Sequence, residues 1–150
     1  MPEWIQTLTV DASYSLATGI TEVGIVIQER SGRSGRGPIV EQLSESHRDI
    51  SAGDGELYAV FRALEVAKHR GFTRIKVRSD YNHMRRSLRE RYRDGSVARD
   101  LEVCVLQLAR SFDWIDFGYV QRTKNQTAHA LARKATHLSP TAKRTLTAEI

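Results

Sequence analysis

The most constraining feature of this sequence is a strand-like stretch near its start, residues 6–13 (QTLTVDAS), which runs into an acid. Side chains of a β-strand alternate between two faces, so Leu8 and Val10 share one face and Asp11 lies on the other. The pattern therefore predicts a carboxylate on the polar side of a central strand. A partly desolvated carboxylate there needs a cation or hydrogen-bond donors, because an unpaired buried charge is costly and otherwise takes up a proton.

The length and hydropathy of the chain limit its organisation. A chain of 150 residues fits one domain, and we assign residues 1–138 to it and residues 139–150 to a polar C-terminal tail. The sequence has no apolar run near the roughly 20 residues that a membrane span requires. Its start has neither the basic flank nor the apolar segment of a signal peptide. We therefore expect a cytoplasmic protein that has no membrane partner.

The cysteine content excludes two kinds of chemistry. A single cysteine, Cys104, permits no internal disulfide and cannot by itself form a thiolate metal site. It lies in the apolar stretch 103–106 (VCVL), which predicts a buried small hydrophobic residue rather than a nucleophile.

The charges are unevenly distributed along the chain. Residues 1–56 carry 4 basic and 9 acidic side chains, whereas residues 57–99 carry 12 basic and 4 acidic ones. Residues 122–150 again have a basic excess, with 6 basic side chains and 1 acidic. Acidic side chains are thus concentrated in the N-terminal part of the chain and basic side chains in the rest. This distribution suits a polyanionic partner that is held near an acidic, metal-binding centre.

The periodicity of the chain predicts an α/β fold. Turn signals at Thr18 and Gly19 indicate a hairpin between the first two strands, and Gly71 ends the first helix. The predicted elements are strands at 6–13, 23–28 and 39–50, a helix at 56–70, a strand at 74–80, helices at 81–93 and 97–112, a strand at 114–120 and a helix from 125. This order predicts a mixed five-stranded sheet in which three antiparallel strands are extended by strands that arrive through helical crossovers.

Three acids occupy comparable places in these elements. Asp11 ends the first strand, Glu56 lies in the first turn of the first helix on its packed side, and Asp80 ends the fourth strand. If the first and fourth strands are neighbours, the three carboxylates converge and repel one another unless divalent cations lie between them. Carboxylates are the ligands that Mg²⁺ and Mn²⁺ prefer, and two such ions about 4 Å apart promote in-line attack on a phosphodiester.

Four motifs give the chain a resemblance to the type 1 ribonuclease H family over about residues 6–136. They are TVDAS at 9–13, ELYAV with Ala63 and Leu64 at 56–64, VRSDY at 77–81 and RTKNQTAHALA at 122–132. The resemblance implies a ribonuclease H-like fold and an endonuclease that cuts the RNA strand of an RNA/DNA hybrid. It further implies two Mg²⁺ or Mn²⁺ ions per site, which Asp11, Glu56, Asp80 and His129 would hold.

The sequence departs from the family pattern at three places. His129 stands where the family has its fourth acid, and a neutral imidazole favours Mn²⁺ over Mg²⁺. The asparagines that many members place before the helix glutamate are replaced by Ala52-Gly53-Asp54. The mobile histidine loop of some members is absent, and Arg122 and Lys124 occupy the short connection.

Further residues are candidates for contact with nucleic acid. Arg85, Arg86, Arg89 and Arg93 recur at helical spacing and predict sequence-independent phosphate contacts, with a solvated basic face as the alternative. Ser13, Arg122 and Asn125 are added through the resemblance, although Asn125 is also a natural helix N-cap. The other histidines have no partners at ligand spacing and are predicted to be surface residues.

Three functions remain open from the sequence. The first is a monomeric ribonuclease H that acts on RNA/DNA hybrids without an organic cofactor. The second is a weak or inactive module of the same fold that binds nucleic acid or a protein. The third is a nuclease of the same fold that acts on double-stranded RNA.

Overall fold

The computed structural model describes residues 4–31, 37–50, 52–81, 100–121, 123 and 125–134. Within these ranges it contains five strands and three α-helices. The strands are β1 (Trp4–Ser15), β2 (Ile20–Ser31), β3 (Ile39–His47), β4 (Arg74–Ser79) and β5 (Trp114–Tyr119), and the helices are α1 (Gly55–His69), α2 (Asp100–Ala109) and α3 (Gln126–Lys134). Residues 82–93 of the helix predicted at 81–93 and the domain boundary predicted at residue 138 lie outside the described residues.

The five strands form one mixed sheet in the order β3-β2-β1-β4-β5. The pairs β1–β2 and β2–β3 are antiparallel, whereas β1–β4 and β4–β5 are parallel. The predicted fold class is therefore confirmed. The hairpin turn also lies where the sequence predicts it, with Gly19 in the left-handed region at a φ of 68°. Glycine is favoured there because it has no Cβ to clash with the backbone.

The sheet is covered on both faces. Leu8, Val10, Ile75 and Val77 point to the face on which α1 and α2 pack, and this side holds the main hydrophobic core. α3 packs against the other face, over β1, β2 and β3. No helix in the part of the chain that the structure describes is long and apolar enough to cross a lipid bilayer.

The structure corrects the prediction for Cys104, which is exposed rather than buried. α2 turns Val105, Leu106 and Ala109 into the core, and this places Cys104 on the outer side of the helix. An apolar run in sequence does not distinguish the two sides of a helix, because residues separated by one or two positions do not share a face.

Gly24 allows α3 to approach the sheet closely. A Cβ at this position would lie 2.1 Å from the carbonyl oxygen of Ala128 and 2.7 Å from the amide nitrogen of Ala132. Gly24 pairs with Asp11 across β1 and β2. The missing side chain therefore lets the helix that carries His129 lie directly beside Asp11, and β1 continues past this acid to Ser15 rather than ending at it as the sequence predicts.

Candidate metal centre

The structure brings together three acids from three different elements. Asp11 lies on β1, Glu56 lies in the first turn of α1, and Asp80 directly follows β4. One carboxylate oxygen from each of the three residues lies within 4.8 Å of the others. The parallel pairing of β1 with β4 accounts for the proximity of Asp11 and Asp80. Val10 pairs with Ser79, so the residue that follows each of them, an aspartate in both cases, lies at the same level of the sheet.

The central carboxylate of this cluster is nearly inaccessible to solvent. Asp11 is only 3% exposed, whereas Glu56 and Asp80 are partly exposed. Burial raises the pKa of Asp11 above its usual value, a hydrogen bond to His129 opposes that rise, and the charge of Asp80 adds to it. The protein without a cation therefore holds a carboxylate that is costly to ionise, which is the electrostatic condition that a divalent cation relieves.

His129 contacts the cluster through Asp11. Its Nδ1 lies 2.7 Å from Oδ2 of Asp11, and its side chain is 39% exposed. When the Asp11 carboxylate is ionised it can only accept a hydrogen bond, so a neutral imidazole then donates from Nδ1 and carries its lone pair on Nε2. The group of ligand atoms within 4.8 Å of one another contains the three acids and does not include His129.

Asn125 connects the start of α3 to β1. It precedes α3, is 2% exposed, and its Nδ2 donates to the carbonyl oxygen of Val10 at 2.9 Å. Asn125 therefore ties the start of α3 to the residue next to Asp11. The nucleic-acid contact expected of Asn125 from the sequence stays a prediction, and its side-chain oxygen accepts no capping hydrogen bond from the described residues.

Of the remaining candidate residues for nucleic-acid contact, the structure describes Ser13. Ser13 is partly exposed on β1 and shares the strand face of Asp11. The arginines predicted to hold phosphates, Arg85, Arg86, Arg89, Arg93 and Arg122, lie outside the described residues, as does Lys124.

Sequence reasoning missed a buried polar network between α1 and β3. Glu45 on β3 is fully buried, and its carboxylate accepts hydrogen bonds from Nε and Nη2 of Arg62 on α1, both at 2.9 Å. His47 donates to the same carboxylate at 2.8 Å and accepts from the Tyr58 hydroxyl at 3.2 Å. The prediction that His47 is a surface residue is wrong, because its side chain is only 12% exposed. One feature of the sequence could have indicated that Glu45 is buried: it lies on the same strand face as Leu43.

Burial alone would raise the pKa of Glu45. The hydrogen bonds from His47 and Arg62 outweigh that effect and hold the pKa below its usual value. Glu45 and Arg62 therefore form an ion pair that joins α1 to β3 within two turns of Glu56.

Comparison with known proteins agrees with this topology. The structure of RNase H1 from the halophilic archaeon Halobacterium salinarum is similar with a TM-score of 0.70 and 25% identity, over 89% of this chain and 98% of that one. The N-terminal RNase H domain of Rv2228c from Mycobacterium tuberculosis is similar with a TM-score of 0.68 and 19% identity, over 89% and 94%. LC11-RNase H1, solved in complex with an RNA/DNA hybrid, is similar with a TM-score of 0.67 and 17% identity, over 89% and 99%.

The fold and the acidic cluster together define a ribonuclease H-like domain. A family profile described as "Reverse transcriptase-like" matches residues 9–135, and the chain belongs to this family. A comparison with curated protein sequences found no significant match.

Proposed function

We propose that this protein is a metal-dependent endonuclease that hydrolyses the RNA strand of RNA/DNA hybrids. The observation that carries the proposal is the convergence of Asp11, Glu56 and Asp80, whose carboxylate oxygens lie within 4.8 Å of one another. Three like charges at this separation are strongly unfavourable without a counter-charge. The family of the chain and the RNA/DNA hybrid bound to LC11-RNase H1 support the choice of reaction and substrate.

The chemistry of the donor set fits a hard divalent cation. All three side chains offer oxygen ligands, which suit Mg²⁺ and Mn²⁺, and the cluster contains no thiolate. Two bound ions would supply an activated water and stabilisation of the leaving oxygen in phosphodiester hydrolysis. Asp11, Glu56 and Asp80 would hold these ions through their carboxylate oxygens.

The chain itself contributes orientation at this site. His129 holds the Asp11 carboxylate through Nδ1, in the manner of groups that orient metal ligands from the second coordination sphere. The Nε2 atom of His129 remains available to a cation or to a phosphate oxygen. RNA would be distinguished from DNA through contacts with its 2′-hydroxyl groups along the minor groove, since only RNA carries them.

A cleavage assay tests the proposal. End-labelled RNA/DNA, RNA/RNA and DNA/DNA duplexes are incubated with the protein and Mg²⁺, Mn²⁺ or EDTA. We expect cleavage of the RNA strand of the hybrid alone, with 5′-phosphate products, and none in EDTA. Asp11→Asn and Asp80→Asn should abolish the cleavage, whereas Asp113→Asn, which removes an exposed acid elsewhere, should preserve it.

The other outcomes distinguish the rival functions. Cleavage of RNA/RNA in preference to the hybrid would identify a double-stranded RNA nuclease. Binding of nucleic acid without cleavage by any folded, metal-loaded preparation would identify a binding module. Wild-type rates from either Asn variant would remove the acidic cluster from the mechanism.

A further inference from the structure

One part of the sheet surface is uncovered by the described helices. α3 crosses the sheet over β1, β2 and β3, and within the described ranges no helix packs on that side of β4 and β5. The acidic cluster lies at the end of this same surface, because Asp11 and Asp80 belong to the strand faces that point to it.

Basic side chains follow β4 along this surface. Arg74, Lys76 and Arg78 alternate with the buried residues of the strand, and the next alternate residue is Asp80. Alternate residues of a strand are about 6.6 Å apart. This spacing is comparable with the separation of consecutive phosphates along an extended polynucleotide strand.

The side chain of Lys76 lies across the neighbouring strand. A Cβ on Gly118 of β5 would come within 3.0 Å of Cε of Lys76, so the glycine leaves the space that the lysine stem occupies. The Nζ of Lys76 lies 3.9 Å from Oδ2 of Asp116, and the two side chains are 31% and 23% exposed. A long, partly exposed ion pair is worth little, so this ammonium can exchange its partner for a phosphate.

The start of α3 adds positive potential on the same side. Asn125 ties the beginning of this helix to β1, while Leu131 accepts a hydrogen bond from Ser44 on β3. The helix therefore runs from β1 towards β3, and its N-terminal end faces β4. The N-terminus of a helix carries partial positive charge and favours anions.

We propose that this surface, formed by Arg74, Lys76 and Arg78 on β4 and by the start of α3, holds the phosphates of a single polynucleotide strand that continues beyond the cleavage site. The inference rests on the proposed function, since it adds a binding track to that site. Charge complementarity identifies the occupant: the carboxylate cluster repels a polyanion, and a row of cations leading to it offsets that repulsion.

Measuring nucleic-acid binding in EDTA tests the proposed strand-binding surface separately from cleavage. Fluorescence anisotropy is measured over a range of salt concentrations on blunt RNA/DNA hybrids and on hybrids with a 5′ or 3′ single-stranded RNA or DNA extension. We expect one of these extensions to increase the affinity of the wild-type protein. The variant R74Q/K76Q should lose this increase, with its salt slope lowered by about 0.7 for each lost phosphate contact.

Two further variants sharpen the result. Asp116→Asn should strengthen binding of the extended hybrid, because it removes a negative charge beside Lys76. Arg110→Gln removes one exposed positive charge from the end of α2 and should retain the full effect of the extension.

The proposal is overturned if no extension increases the affinity, if R74Q/K76Q keeps the increase, or if R110Q loses as much of it. Because EDTA prevents metal-dependent hydrolysis, a protein that fails to cleave hybrids still gives a clear answer here. If the protein cleaves hybrids but no extension changes its affinity, the proposed function stands and the proposed strand-binding surface is wrong.

Discussion

The Nδ1 atom of His129 lies 2.7 Å from Oδ2 of Asp11, although the two residues are 118 positions apart in the chain. This hydrogen bond joins α3 to β1 at the acid that is most buried in the cluster. It makes His129 an orienting partner of Asp11, and the two nitrogens of the ring allow that role to be tested directly.

Replacing His129 should separate orientation from metal ligation. An asparagine amide nitrogen approximates Nδ1, whereas a glutamine amide approximates Nε2. We expect His129→Ala to raise the Mn²⁺ concentration for half-maximal cleavage by about 10-fold or more, and His129→Asn to recover more of that loss than His129→Gln. The measurement is a Mn²⁺ titration of the initial cleavage rate. The reverse order of recovery would indicate that Nε2 is the important atom.

The ionised carboxylate of Asp11 should lower the free energy of unfolding of the metal-free protein at neutral pH. Its pKa is raised in the folded state by burial, so the folded protein binds more protons than the unfolded chain between the usual aspartate pKa of about 3.9 and the raised value. Stability therefore falls as the pH rises through this window, and the cost is fully present above it. We expect Asp11→Asn to increase the free energy of unfolding at pH 7 in EDTA, as measured with urea.

The matching pH series supplies the control for Asp11. The gain from Asp11→Asn should shrink as the pH falls through this window and disappear below about 3.9, because the wild-type carboxyl is then protonated in both the folded and the unfolded states. Added Mn²⁺ should stabilise the wild-type protein and leave the Asn variant unaffected. A variant that is less stable than the wild type at pH 7 would contradict the electrostatic assignment.

Most of the sheet and the acidic cluster were predictable from local pattern, and the reason is that their signals are periodic. The alternation around Leu8 and Val10 fixed the face of Asp11, and helical spacing turned Glu56 inward. The contact between Asp11 and His129 was not predictable, since it depends on Gly24 admitting α3 close to the sheet. The glycine appears in the sequence only as one small residue within a strand.

Burial of polar groups was predicted less well than strand order. Neither Glu45 nor Arg62 has a distinctive sequence context, and only the tertiary fold brings the two side chains together. The outward position of Cys104 has a related origin. Both cases depend on which side of a helix meets the sheet, which a short apolar or polar run does not specify.

The ion pair between Glu45 and Arg62 should make a large contribution to stability. Arg62→Met removes both guanidinium hydrogen bonds from a fully buried carboxylate and leaves it to His47, and the expected cost is about 3–5 kcal/mol. The double variant Glu45→Leu with Arg62→Met should recover most of this loss, since two apolar side chains leave no unpaired charge. Urea unfolding of the two variants gives the free energies.

The same two elements contain a matched control for that ion pair. Arg70 at the end of α1 donates to Glu41 of β3, with Nε at 2.9 Å from Oε2, but these side chains are 22% and 32% exposed. Arg70→Met should cost less than about 1 kcal/mol. Equal losses from Arg62→Met and Arg70→Met would show that burial does not set the strength of these pairs.

The lowered pKa of Glu45 also predicts an acid-dependent loss of stability. The contribution of a carboxylate whose pKa is lowered in the folded state is complete above the unfolded value, about 4.3 for glutamate, and is lost as the pH falls through the folded value. We expect the stability of the wild-type protein to decline below pH 4.3 more steeply than that of the Glu45→Leu, Arg62→Met variant. Parallel slopes for the two proteins would contradict the assignment of this pKa shift.

Asn125 should affect metal binding through the position of β1. Asn125→Ala removes the hydrogen bond to the Val10 carbonyl, at an expected cost of about 0.5–1.5 kcal/mol. We also expect a weaker response to Mn²⁺, because Asp11 follows Val10 directly and His129 lies one turn further along α3. The matched control is Ser44→Ala, which removes another hydrogen bond between α3 and the sheet at a position on β3. It should lower the urea midpoint while preserving the Mn²⁺ concentration for half-maximal cleavage. If both variants shift that concentration equally, Asn125 acts only through the general stability of α3.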